Sequence, residues 1–190
     1  WLKLHPEVSA AEAAQAMESL SHQPLISIVM PVYNPPVDWL RECLESVLAQ
    51  YYPHWQLCIA DDASSDPEVL ALLADYAAKD PRIEVIYREH NGHICAASNS
   101  ALELARGEFV ALLDHDDRLS PAALFHVVEA LQNRPDAGLL YSDEDKLNAS
   151  GTRYDPHFKP QWNPDLLLAQ NYISHLGVYR TALLRELGGF

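Results

Sequence analysis

The sequence predicts an α/β fold, a mostly parallel sheet flanked by helices, on three observations. Short apolar runs rich in Ile and Val recur along the chain, amphipathic stretches separate them, and several runs stop abruptly at turn-forming or acidic residues. Runs of this length read as buried strands, and strands alternating with amphipathic helices imply parallel pairing through right-handed crossovers.

The elements follow in order. SAAEAAQAMESLS (residues 9–21) is rich in Ala and Glu, and Ser9 stands three residues before Glu12, a helix-start signature. Residues 1–23 are therefore expected to be a helical leader outside the main domain, which would run from 24 to 190. LISIVMPVYN (25–34) reads as the first buried strand and ends in the turn formers Asn34, Pro35 and Pro36. Residues 37–50 have helical period, 55–62 (WQLCIADD) strand character, 67–79 helical period, 83–89 strand character, 93–107 helical period, and 108–114 (EFVALLD) strand character. A helix at about 121–133 and a strand GLLYSDEDK (138–146) come next. The rest is expected to hold a loop, a short helix near 165–169, a strand LGVYR (176–180) and a helix TALLREL (181–187).

Bulk properties narrow the function. With 190 residues, 48% hydrophobic and 21% charged, the chain suits one domain with a packed core and excludes a disordered or fibrous protein. A formal net charge of −14 argues against nucleic acid as a partner and against adsorption to anionic lipid, so membrane association would be indirect. A phosphorylated ligand would need a local cation. Cys43, Cys58 and Cys95 are odd in number and lack CxxC spacing, which speaks for small apolar roles in a reducing, cytoplasmic setting, with the inner face of the membrane as a working place. No apolar run reaches the length of a spanning helix. The first and last residues look like neither a natural start nor a stop, so further domains of a longer chain are expected.

In an open parallel sheet, ligands sit at the carboxyl ends of the strands. Those ends carry Pro31, Val32, Tyr33 and Asn34; Asp61 and Asp62; Asp114, His115, Asp116 and Asp117; and Ser142, Asp143, Glu144 and Asp145. Carboxylates gathered at one rim repel one another, and a divalent cation of the oxygen-preferring kind, Mn²⁺ or Mg²⁺, compensates them economically. Such a cation would also let an acidic protein hold a diphosphate. Plainer readings stand beside these. Asp62 before ASSD also fits a cap for the next helix, the EDK run fits a solvated turn, and isolated residues such as His115, His157 and His175 are more often structural than ligands.

SIVMPVYN, LCIADDASSD, HNGHICAASNSALELARGEFVALLDHDD and the closing Gly188-Gly189-Phe190, in this order, resemble the family 2 glycosyltransferases. The resemblance implies the GT-A fold, a Rossmann-like sheet, and inverting transfer from a UDP- or dTDP-linked sugar to a glycan or lipid-linked glycan acceptor. It further implies that Pro31, Val32 and Tyr33 wall the nucleotide base and that Asp62, with Asp61 beside it, accepts from a uracil-type ring. Asp114 and Asp116 correspond to the family's D-x-D pair, Asp114 approaching the ribose and Asp116, helped by Asp117, holding the metal. SDEDK followed by FKPQWNPDLLLAQNYISHL is similar to large bacterial enzymes of O-antigen and other surface polysaccharides, including rhamnosyltransferases.

Two departures bear on activity. Many members place an Arg where this chain has Ser98, before Asn99, and the family's usual catalytic base would lie beyond Phe190. Glu144 and Asp145 are the only in-chain stand-ins for that base, so this piece alone is expected to be inactive. Alternatives remain a sugar-nucleotide-binding module without turnover, and a nucleotidyltransferase. The latter usually offers a Gly-rich basic loop that MPVYNPP lacks. A phosphoacceptor signalling domain would carry its acidic pair after the first strand, where this chain has Tyr33-Asn34.

Overall fold

The computed structural model describes residues 7–190, so the first six residues of the expected leader lie outside the described residues. Four strands form the parallel part of the sheet: β1 (Ile26–Val32), β2 (Trp55–Asp61), β3 (Ile83–Tyr87) and β4 (Phe109–Leu112). The helices between them are α2 (Val37–Leu48), α3 (Pro67–Lys79) and α4 (His93–Leu104), and α5 (Ala123–Asn133) follows β4. These match the periodicities in the sequence.

Strands β1 and β2 are buried on both faces, which is why they read as continuous apolar runs rather than alternating ones. Alternate residues serve different layers. Ile26, Ile28, Met30 and Val32 join the core under α2, α3 and α5, while Val29, Cys58 and Ala60 meet Ala97 and Ala101 of α4. Small residues on α4 let that helix lie close to the sheet. Gly107 does the same for the chain entering β4, because a Cβ there would stand 2.6 Å from both the Leu25 carbonyl oxygen and the Ser27 nitrogen.

Helix α1 (Ala10–Met17) begins with the expected capping box, Ser9 and Glu12 bonding reciprocally. Although read as a leader, it is tied to the domain: Ala13 is fully buried in the main core, with Val8, Ala16, Met17 and Leu20 packed against it.

The last third of the chain departs from expectation. GLLYSDEDK is two strands, not one: β5 (Leu139–Tyr141) stays in the main sheet and β6 (Glu144–Leu147) leaves it. The break falls where polar residues take local partners. Ser142 exchanges hydrogen bonds with Leu176, and the Asp143 carboxylate accepts from the Lys159 backbone N–H. The stretch read as loop contains β7 (Arg153–His157), which pairs antiparallel with β6 across a turn whose N–H groups Asn148 Oδ1 accepts. Charged strands without apolar alternation gave no periodic signal. Helix α6 (Pro164–Ala169), β8 (Gly177–Arg180) and α7 (Thr181–Leu187) lie where the pattern put them. The sheet order is β3-β2-β1-β4-β8-β5, with β8 antiparallel to both neighbours. Of the cysteines, Cys43 and Cys58 are buried but Cys95 is exposed, so the apolar role expected of all three holds for two.

Candidate functional site

The carboxyl ends of β1, β2 and β4 meet at one cavity of about 410 Å³. Pro31, Val32 and Tyr33 line it from the end of β1, Asp62 from just beyond β2, Asn91, His93, Ile94 and Ala97 from the approach to α4 and its first turns, and Asp114, His115 and Asp116 from the turn after β4. Asp62 and Asp116, expected at the two ends of one bound nucleotide, both line this space. Tyr33, among the lining residues, is half exposed. His115 Nδ1 lies 3.2 Å from the Pro31 carbonyl oxygen, which ties the turn after β4 to the end of β1.

Asp61 is the last residue of β2 and Asp62 the residue after it, and the two side chains border different spaces. Asp62 lines the cavity. Asp61, expected beside it, instead borders a separate depression with Ser64, Tyr87 and Arg88, and its Oδ2 accepts from the Ser64 N–H. Both carboxylates are nearly inaccessible at 2%. Asp62 is compensated from within: Gly92 N–H donates to both of its oxygens at 3.0 and 3.1 Å, and Arg88 Nε stands 2.7 Å from Oδ1. Gly92 suits the close approach, since a Cβ there would come within 2.5 Å of Arg88 Nη2. The helix cap that Asp62 could have supplied comes from Asp66, whose side chain accepts from the Glu68 N–H. Asn34, Ala63 and His93 hold positive φ values of 43°, 65° and 64° at the cavity-side strand ends and at the start of α4, a conformation costly for residues with a Cβ.

Among the described residues, the acidic run after β4 has no Lys or Arg partner. Asp114, Asp117 and His175 offer ligand atoms that all lie within 4.8 Å of one another, a set that could hold a metal ion. His175 Nε2 is 3.7 Å from Asp114 Oδ2, and its Nδ1 is 3.5 Å from Asp117 Oδ2. Burial raises the pKa of Asp117, the nearby His175 lowers it, and the Asp114, Asp116 and Glu144 carboxylates raise it further, with a net upward shift. Beneath the run lies Cys43, its thiol pushed well above the ordinary range by burial and then by the same aspartates. A carboxylate-rich, partly open set with an upward-shifted member fits a hard or borderline divalent cation. Asp116 lines the cavity beside Asp114 without joining the three-donor group.

The in-chain candidates for a base are already engaged. Burial pulls the Glu144 pKa upward, but the His175 N–H, His157 and Lys159 outweigh it and hold the carboxyl below its usual value. Asp145 is paired with Arg153 at 2.6 Å. His157 sits 3.1 Å from Glu144 and is not one of the three donors. His175 is the site residue that local pattern reading undervalued, because nothing within its own segment signals proximity to residues about sixty positions earlier.

The family model for Glycosyl transferase family 2 matches residues 27–188. The chain is 56% identical over 181 residues to the uncharacterized protein y4gI of Sinorhizobium fredii, covering 95% of this chain and 20% of that protein. It is 40% identical over 189 residues to the O-antigen biosynthesis protein RfbC of Myxococcus xanthus, covering 100% of this chain and 15% of that one. The chain thus spans a fifth or less of these relatives. Among solved structures, S. aureus TarS 1–349 in complex with UDP-GlcNAc aligns with a TM-score of 0.68 at 26% identity, over 85% of this chain and 47% of that one. The mannosyltransferase PcManGT of Pyrobaculum calidifontis, in complex with GDP-Man and Mn²⁺, aligns at 0.68 and 20% identity over 95% of this chain and 53% of that one, a likeness of fold.

Proposed function

The chain belongs to glycosyl transferase family 2, and from that premise we propose that it holds a UDP- or dTDP-linked sugar in the cavity over β1, β2 and β4 for inverting transfer to a glycan or lipid-linked glycan. The single observation that carries this reading is the shared cavity: Tyr33 and Asp62 border the same space as Asp114 and Asp116, so one extended ligand can touch both ends.

The residues divide the work along the ligand. Pro31, Val32 and Tyr33 wall the base, and Asp62, fixed by Gly92 and Arg88, turns its remaining acceptor capacity toward a ring N–H. Asp114 lies toward the ribose and diphosphate. Asp114, Asp117 and His175, with Asp116 alongside, hold a divalent cation. An imidazole among the donors favours Mn²⁺ over Mg²⁺, since the smaller ion prefers an all-oxygen shell. When bound, the cation supplies Lewis-acid neutralisation of charge on the departing diphosphate. Glu144 and Asp145 are occupied by other partners, which supports a base supplied from outside this set.

The name of the M. xanthus relative supports polysaccharide or O-antigen synthesis as the setting, and the length of both relatives supports further domains of a longer chain as partners. Free cysteines accord with work in the cytoplasm, and the net charge of −14 leaves any association with the inner face of the membrane to an indirect contact. Among the described residues no helix is long and apolar enough to cross a membrane. Calorimetry with UDP and dTDP, with and without Mn²⁺, tests the reading. Mn²⁺ is expected to tighten binding at least about tenfold, and Asp116→Ala or Asp117→Ala to remove that gain. Equal metal-dependent binding by both variants, or no binding of any nucleoside diphosphate, would overturn it.

A further inference from the structure

The SDEDK and FKPQW segments remain without a role in the nucleotide cavity, yet they converge on His175. Lys159 is the centre of that convergence. Its side chain is only 1% exposed, and its Nζ donates to the carbonyls of Ile173 at 3.2 Å and His175 at 2.6 Å while standing 3.5 Å from the Glu144 carboxylate. From the other side, Glu144 accepts the His175 backbone N–H, and Ser142 Oγ accepts the Leu176 N–H. Asp143 holds Lys159 itself through its backbone N–H at 2.7 Å. Both polar groups of the His175 backbone are therefore gripped by one ion pair, and the ring projects to within 3.7 Å of the Asp114 and Asp117 carboxylates.

Burying an ammonium is costly, and an apolar residue of similar volume is often as good or better for stability alone. A buried charge that spends its donors on one short segment points to placement of that segment. We propose that Lys159 is a positioning residue, which with Glu144 clamps the His175 backbone so that the imidazole completes the cation site with Asp114 and Asp117. This rests on the metal reading above. It gives Glu144 a structural role in place of a role as base.

The test uses Mn²⁺ alone, without nucleotide. Pulsed electron paramagnetic resonance reads ¹⁴N modulation from a coordinated imidazole, and titration reads the Mn²⁺ affinity. The wild-type chain is expected to show the modulation and His175→Ala to lose it. Lys159→Met, folded by circular dichroism, is expected to lose it too and to bind Mn²⁺ 10–100-fold more weakly, the range typical of removing a ligand's supporting shell. UDP binding in EDTA should be unchanged, which a general loss of structure would not allow. Glu144→Gln keeps an acceptor for the His175 N–H and removes only the charge, so it serves if Lys159→Met does not fold; a loss of about 3–10-fold with weakened modulation is expected. Wild-type modulation and affinity retained in a folded Lys159→Met or in Glu144→Gln overturns the clamp alone. Mn²⁺ bound by wild type without modulation, or with modulation that survives His175→Ala, overturns the metal set and the clamp with it.

Discussion

Two acidic strand ends face the same cavity, and they are built in opposite ways. At the end of β2, Asp62 is sealed to 2% exposure and neutralised by an arginine and a backbone N–H of the same chain. At the end of β4, Asp114 and Asp117 keep about 37% and 40% of their side-chain surface open, with His175 as the third member of the three-donor set. The difference teaches that carboxylate count says little about chemistry. A carboxylate compensated from within needs no outside charge and can only accept further hydrogen bonds; one without a lysine or arginine beside it leaves a charge that an outside cation can fill.

Breaking the first end should cost the most stability. Asp62→Ala leaves Arg88 and the Gly92 N–H without their carboxylate, and a loss of about 3 kcal/mol in urea unfolding is expected. A loss under about 1 kcal/mol would erase the contrast. The paired change at the second end should do the reverse: Asp114→Ala with Asp117→Ala weakens Mn²⁺ binding by about 100-fold or more, while stability in EDTA changes by less than about 1 kcal/mol. Gly92→Ala is expected to be intermediate, at about 1–2 kcal/mol, because its Cβ must displace Arg88 and would lie 2.9 Å from Ala96 Cβ. Thermal melts measure it.

The smallest effect concerns pH. The pKa of Asp117 is raised in the folded chain, so the fold prefers its protonated form, and destabilisation sets in as pH rises through the ordinary carboxylate value and is complete above the raised one. Asp117→Asn, neutral at every pH, should therefore raise the melting temperature of the metal-free chain by about 2 °C at pH 7 and by nothing measurable near pH 3.5. An equal shift at both pH values would mean that the acidic run carries no strain.

Much of this was legible beforehand, and the reasons are local. Strands β1 and β2 announced themselves as Ile- and Val-rich runs because parallel strands are covered on both faces. The cavity wall from Pro31 to Tyr33, Asp62 and the acidic run after β4 were named because ligands gather where such strands end. Less was legible near the end of the chain. The β6–β7 hairpin carries Glu, Asp, Lys and Arg on short strands, with no apolar period to detect. Asp61 was grouped with Asp62 because sequence adjacency does not show that the two side chains border different spaces.

The order of amino acids by itself determined the α/β class, the parallel strands, the family and the acidic rim, since each depends on periodicity or on residues a few positions apart. Only the tertiary structure decided which carboxylates are neutralised from within, that β8 inserts antiparallel between β4 and β5, and that Lys159 and Glu144 bring His175 to Asp114 and Asp117. Those outcomes depend on contacts between segments tens of residues apart. Local pattern cannot register them, because the energy that selects them exists only once the chain has closed on itself.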